Sequence, residues 1–228
     1  MTASQLEFHT RSIHIDVELT CWEGSPPRGM KQEIIEIGIA EMDLATLAIT
    51  RERSYFIRPR RWEISPRCTN LTGITKDDIQ SGRPFVDVLT ALTEEFAPSQ
   101  ALCCTWGNDA ALIAAACQTI GLKTPLRNLL DLAYLFQRLF LLKQQASLAS
   151  ATQLLGLNFE GVPHGALVDA RNTASVHAAI IRRMRREPDP PLPSVVEPTV
   201  LELNSVFAEK LRNACTSTRT PDTPKGQN

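Results

Sequence analysis

Apolar and polar residues alternate through Ile13-His14-Ile15-Asp16-Val17-Glu18-Leu19, the two-residue period of a strand with one face toward a core. The Gly and Pro residues between Thr20 and Gly29 read as a loop. A second strand is predicted over Glu33 to Met42 and a third over Thr46 to Ile57, with a turn at Asp43 to Ala45, which together suggest an antiparallel meander. In Cys68 to Asp78, Gly73 would allow close backbone approach, and Thr75 followed by Asp78 fits a capping box. Phe85, Val88, Leu89, Leu92 and Phe96 recur at the spacing of an amphipathic helix over 85–97. Leu102 to Trp106 predicts a buried strand with its exit turn at Gly107-Asn108. Asp109 then heads an Ala-rich helix over 110–120, closed by Gly121. Helices over 128–142 and 147–155 follow, the second stopped by Gly156. The last core helix begins after Pro163-His164-Gly165 and runs to about Arg186. Ala166, Ala170, Ala174 and Ala178 give it a narrow face able to lie close to a strand. The meander followed by strand-loop-helix alternation predicts an α/β layer.

From Glu187 onward, repeated prolines and a polar end predict a linker and tail over 187–228, with one short helix over 199–215. The chain of 228 residues, 43% hydrophobic and 21% charged, has enough material for one well-buried domain over 1–186 plus that tail. A net charge of -1 excludes a strongly basic, whole-surface nucleic-acid binder, so any nucleic-acid contact must be local or metal-assisted. No stretch approaches the roughly 20 apolar residues needed to span a bilayer, and Met1 to Ile13 lacks a signal-like apolar run, which predicts a cytoplasmic protein without a membrane partner. The six cysteines form no C-x-x-C pair and are expected reduced and mostly buried. Arg51, Arg53, Arg58, Arg60, Arg61 and Arg67 cluster around the third strand, where a solvated edge and a phosphate-contacting patch would look alike.

Candidate chemistry begins at Asp16-x-Glu18, two carboxylates on one face of a core strand. Buried like charges cost several kcal/mol or neutralise, so the pair reads either as a wet acidic face or as ligands of a divalent cation. About 150 residues later stands His164-x-Ala166-x-x-Asp169-Ala170, and an Asp follows the central strand. This pattern resembles the DEDDh, DnaQ-like 3′→5′ exonucleases of the ribonuclease-H-like fold. Further segments are similar to the branch holding the histone-mRNA 3′ exonuclease and the KapD proteins: Thr20-Cys21-Trp22, Glu33-Ile34-Ile35-Glu36, Cys68 to Thr75, Trp106-Gly107-Asn108, and Leu155 to Gly161 leading into His164.

The resemblance implies a ribonuclease-H-like mixed sheet, an antiparallel meander followed by parallel strands, flanked by helices. It implies two Mg²⁺ or Mn²⁺ ions held by Asp16, Glu18, Asp169 and Asp109, with His164 taking the proton from the attacking water. Leu71, Thr72 and Gly73, with Trp22 and Trp106, are the implied substrate-binding residues for a single-stranded RNA or DNA with a free 3′ end, RNA ahead of DNA. One position departs from the pattern. Relatives carry the third metal-site Asp four residues after the Trp, where this chain has Ala110, and Asp109 stands one residue earlier. A one-residue shift on a helix turns a side chain by about 100°. Three readings follow: an active exonuclease, a weakened member that binds 3′ ends without cutting, or a proofreading-type subunit whose tail docks a protein partner such as a polymerase.

Overall fold

The computed structural model describes residues 7–60 and 64–185. The linker, tail and short helix expected over 187–228 lie outside the described residues, as does Cys215.

The first alternating run forms β1 (Arg11–Leu19) and the two that follow form β2 (Ile34–Asp43) and β3 (Ile49–Phe56), paired antiparallel as a meander. β4 (Leu102–Thr105) joins the other side of β1 in parallel and β5 (Leu129–Asp131) follows it, giving the spatial order β3-β2-β1-β4-β5. Ile13, Ile15 and Val17 face one layer of helices, α3 (Phe85–Phe96) and α4 (Asp109–Thr119), in the largest apolar cluster. The opposite face of β1 turns to the last helix, α7 (Ala166–Arg185).

The alanine stripe of α7 does what its spacing predicts. Ala166, Ala170, Ala174 and Ala178 are all buried, with Ala170 and Ala174 packed on Ala40 of β2. The approach is closest at Gly38, where an added Cβ would stand 2.1 Å from the carbonyl carbon of Ala166. Only a residue without a Cβ lets the helix backbone lie there. An Arg171–Glu52 ion pair fastens the same helix to β3.

One expectation needs correction. The helix expected from 128 to 142 is two elements, β5 (Leu129–Asp131), parallel to β4, and α5 (Leu132–Leu139), capped by Asp131 accepting from Tyr134 N. The edge of β4 offers unpaired backbone groups, and pairing with Cys103–Thr105 outweighs the helical preference of those residues. Residues for which no element was predicted form α1 (Pro66–Thr72), with Ser65 as N-cap and Pro66 opening the helix, a signal present in the sequence. Gly73 is needed for its left-handed φ of 75° at the end of α1, since nothing lies within 4 Å of an added Cβ.

The Thr75–Asp78 capping box does form, at the start of α2 (Lys76–Ser81), and α6 (Leu148–Leu154) begins at Ser147. The arginines of the edge strand β3 are engaged by protein groups, Arg51 with Glu41 and over the Phe96 ring and Arg53 with Glu95, and Arg58 just after it donates to the Gln80 carbonyl. All described cysteines are free thiols, and all but Cys21 are buried. Among the described residues, no helix is long and apolar enough to cross a membrane.

Candidate active site

Side chains from β1, α4, α7 and the loop before α7 meet on the α7 side of the sheet. Asp16 and Glu18 point the same way from β1 because alternate strand residues share a face. Asp169 stands in the first turn of α7 and Asp109 is the first residue of α4, which β4 reaches through the Gly107 turn at φ 96°. Since β1 and β4 are parallel neighbours, β1 and the loop after β4 deliver their acidic residues toward one edge. Glu18, His164 and Asp169 each bring a ligand atom to within 4.8 Å of the others.

The electrostatics place Asp16 and Asp109 in the same group. Burial, then the charges of Asp109, Asp169, Glu18 and Glu36 in that order, hold the Asp16 carboxyl well above the ordinary carboxylate range. Burial, with Asp169, Glu36 and Asp109, pushes Glu18 up to about 8. Asp109 rises to about 7 through burial, partly offset by its own backbone N–H at the helix start, with Asp131 and Asp169 adding to the rise. Burial also raises Asp169. The His164 N–H, donated to Oδ2 at 3.2 Å, and the His164 imidazole pull it back, while Glu36 adds to the rise.

Asp169 Oδ1 is buried and has no hydrogen-bond partner. A half-buried set of mutually repelling carboxylates with one buried oxygen unbonded lacks a counter-charge, and its hard oxygen donors fit a divalent cation.

Position 110 and its neighbour differ in their surroundings. Ala110 packs against the apolar layer of α3 and α4, whereas Asp109 is the neighbouring charge that acts most strongly on Asp16.

Two acidic residues with no role assigned from the sequence support the site. Glu36 is cross-strand from Glu18. Its carboxylate accepts the Ala166 N–H at 3.1 Å and the Ser54 hydroxyl at 2.5 Å, so it fixes the start of α7 against β2 and β3. The available signal is a charged residue inside the apolar run Ile34 to Ile39. Asp131 accepts the Gly107 N–H at 3.1 Å and so steadies the turn that presents Asp109. No local pattern marks that role, because it depends on β5 pairing.

The expected substrate-binding residues divide. α1 packs beside the end of β1, where Ser65 donates to the Cys21 carbonyl at 2.6 Å and the Cys68 thiol reaches the Leu19 carbonyl. Leu71 at its end is 41% exposed and Gly73 is exposed. Thr72 Oγ1 is occupied locally, donating to the Cys68 carbonyl and accepting from Ile74 N. Trp22 is half-buried in the loop after β1. Trp106 is engaged in packing, with its indole N–H donated to the Ala146 carbonyl at 3.1 Å and its ring against Phe136.

Comparison with known proteins gives a consistent answer. The family RNase_T, described as an exonuclease, matches residues 13–177. Among curated proteins, ERI1 exoribonuclease 2 of Danio rerio is 35% identical over 187 residues, covering 71% of this chain and 33% of that protein. The human 3'-5' exoribonuclease 1 is 26% identical over 181 residues, covering 74% and 51%. The chain thus spans about a third to a half of the length of these curated relatives. Among solved structures, the nuclease domain of 3'hExo, a DEDDh family member bound to rAMP, superposes with a TM-score of 0.70 at 25% identity over 77% of this chain and 94% of that one.

Proposed function

The chain belongs to the RNase_T exonuclease family, of DEDDh type, and from that premise we propose that it hydrolyses single-stranded 3′ ends stepwise, RNA ahead of DNA, to nucleoside 5′-monophosphates. The observation that carries this reading is the convergence of Asp16, Glu18, Asp109 and Asp169, with His164 at the rim, from four separate segments. The preference for RNA is supported by the relatives, which are named as exoribonucleases.

Asp16, Glu18, Asp109 and Asp169 are the residues to hold two Mg²⁺ or Mn²⁺ ions, which, when bound, polarise the scissile phosphodiester and lower the pKa of the attacking water. His164 takes the proton from that water. It is exposed, carries a left-handed φ of 70°, and is tethered through its backbone N–H to Asp169, so the imbalance of charge around Asp169 and the position of the base are set together. Leu71, Thr72 and Gly73 at the end of α1, with Trp22 across the loop, receive the terminal nucleotide. Backbone approach and stacking there tolerate any base. Trp106 contributes by holding the loop that leads to Asp109.

Incubation of the protein with a 5′-labelled RNA oligonucleotide and Mg²⁺ or Mn²⁺ tests the proposal. Stepwise shortening from the 3′ end, abolished by EDTA and by Asp16→Ala, is the expected result. Binding without shortening in either metal would leave only an end-binding role. Residues 187–228 are the segment proposed to dock a protein partner, and unchanged co-purification after their deletion would remove that part of the proposal.

A further inference from the structure

The α7 side of β1 is polar along its length: Ser12, His14, Asp16 and Glu18 alternate with the apolar residues of the other face. Asp16 and Glu18 serve the site described above, but Ser12 and His14, both fully buried, do not. Polar groups buried between sheet and helix are costly unless they are bonded. His14 meets two more such side chains. Its Nε2 lies 2.9 Å from Nδ1 of His177 on α7, and that nitrogen lies 3.8 Å from Sγ of Cys104 on β4. Cys104 is the direct parallel neighbour of His14 across the sheet, and both Cys104 and His177 are buried. The rings meet edge to face, 62° apart, so the nitrogens confront each other and the rings do not stack.

We propose that His14 Nε2, His177 Nδ1 and Cys104 Sγ form a buried site for a structural zinc ion, separate from the carboxylate cluster. All three donor atoms lie within 4.8 Å of one another. Zinc bonds of about 2.0–2.1 Å to nitrogen and 2.3 Å to sulfur set tetrahedral edges of roughly 3.3 Å between nitrogens and 3.6 Å between nitrogen and sulfur. The 2.9 and 3.8 Å separations therefore need only small adjustments. His14 is also held as a ligand usually is, with its other nitrogen, Nδ1, 3.2 Å from the Ala40 carbonyl, which leaves the lone pair on Nε2. Imidazole and thiolate select a softer ion than the carboxylates beside them, so the two sites would sort different metals.

Ser12 adds an independent sign. Its buried hydroxyl has no hydrogen-bond partner, and it stands two residues from His14 on the same face of β1. A plain His177-to-His14 hydrogen bond would account for two imidazoles and still leave Ser12 unbonded. A water completing the fourth position is the partner the proposal offers that hydroxyl. The protons balance: Cys104 releases its thiol proton to solvent, and the His177 proton passes from Nδ1 to Nε2. The ion would join β1, β4 and α7, the frame that carries the acidic residues.

Because such a site fills as the chain folds, the test is refolding of the full chain with Co²⁺ as a spectroscopic probe, and separately with Zn²⁺, followed by gel filtration in excess Mg²⁺. Expected are about one retained ion per chain, a thiolate-to-cobalt charge-transfer band, persistence of that band in Asp16→Asn, and its loss in Cys104→Ser and His177→Gln. Natively folded wild type with no such band overturns the proposal, and it does so even if the variants fail to fold. A band that survives in folded His177→Gln overturns it as well, by assigning the ion to other cysteines.

Discussion

Asp109 stands one residue before the position that the resembled DEDDh pattern gives to an acid, and helical geometry would turn it away from the site if α4 began earlier. It is instead the first residue of α4, where the backbone is still leaving the Gly107 turn, and its charge reaches Asp16 while Ala110 fills the apolar layer. On the proposed metal-holding role, Asp109→Asn should lower kcat by roughly 100-fold or more. Ala110→Asp should not rescue it, and should cost about 1–3 kcal/mol by placing a charge against the α3 and α4 core. Single-turnover assays and denaturant unfolding of the two variants and their combination check both statements. Glu36 is the second residue to test. With one carbonyl oxygen in place of two carboxylate oxygens, Glu36→Gln can no longer accept from both Ser54 and Ala166. A supporting residue of this kind is worth about 10–100-fold, so kcat should fall by that factor. The Mg²⁺ concentration for half-maximal activity should rise with it, and a metal titration at fixed substrate reads both.

At the scale of elements, the position of α7 against β2 decides whether Asp169 meets Asp16. Gly38 sits opposite Asp16 in the sheet and directly under the Ala166 backbone. Gly38→Ala would place a carbon 2.1 Å from the Ala166 carbonyl carbon and 2.2 Å from Leu167 N, where no rotamer change can relieve it. The helix must shift, at a cost of about 3 kcal/mol or more. Activity should fall further than the unfolded fraction explains, because the shift moves Asp169. Comparing kcat at a temperature where the variant stays folded with its midpoint in urea separates the two effects. The alanine periodicity of α7 was readable from sequence, but the need for Gly38 was not: strand residues facing a helix resemble those facing solvent until the two backbones are brought together.

Across the whole molecule, two buried sets of titrating groups oppose each other. Glu18, raised from 4.5 to about 8, and Asp109, raised from 3.8 to about 7, bind more protons folded than unfolded, so in the absence of metal they remove stability as pH rises through those windows. Burial, with His177 adding, lowers His14 from 6.5 to about 3, and burial lowers His177 to about 4. These imidazoles bind fewer protons folded than unfolded, so they remove stability as pH falls below 6.5. Above pH 6.5 the carboxylates act alone, and the metal-free protein should lose several degrees of Tm between pH 6.5 and 8. Mg²⁺ or Mn²⁺ supplies the missing counter-charge and should flatten that limb while leaving the acid limb nearly unchanged. Thermal melts at pH 5, 6.5 and 8, with metal and with EDTA, check this, and a cation effect equal at pH 8 and pH 5 would refute it.

Strand periodicity, helix caps and the order of the acidic motifs were fixed by residues within a few positions of one another, which is why β1, the Thr75 capping box, the α7 stripe and the D-x-E pair were legible in the chain. The split of 128–142 into β5 and α5, the influence of the Asp109 charge on Asp16, the tether from Glu36 to α7 and the meeting of His14, Cys104 and His177 depend on tertiary structure. Each depends on groups distant in sequence being pressed together, where backbone pairing and buried charge outweigh local preference.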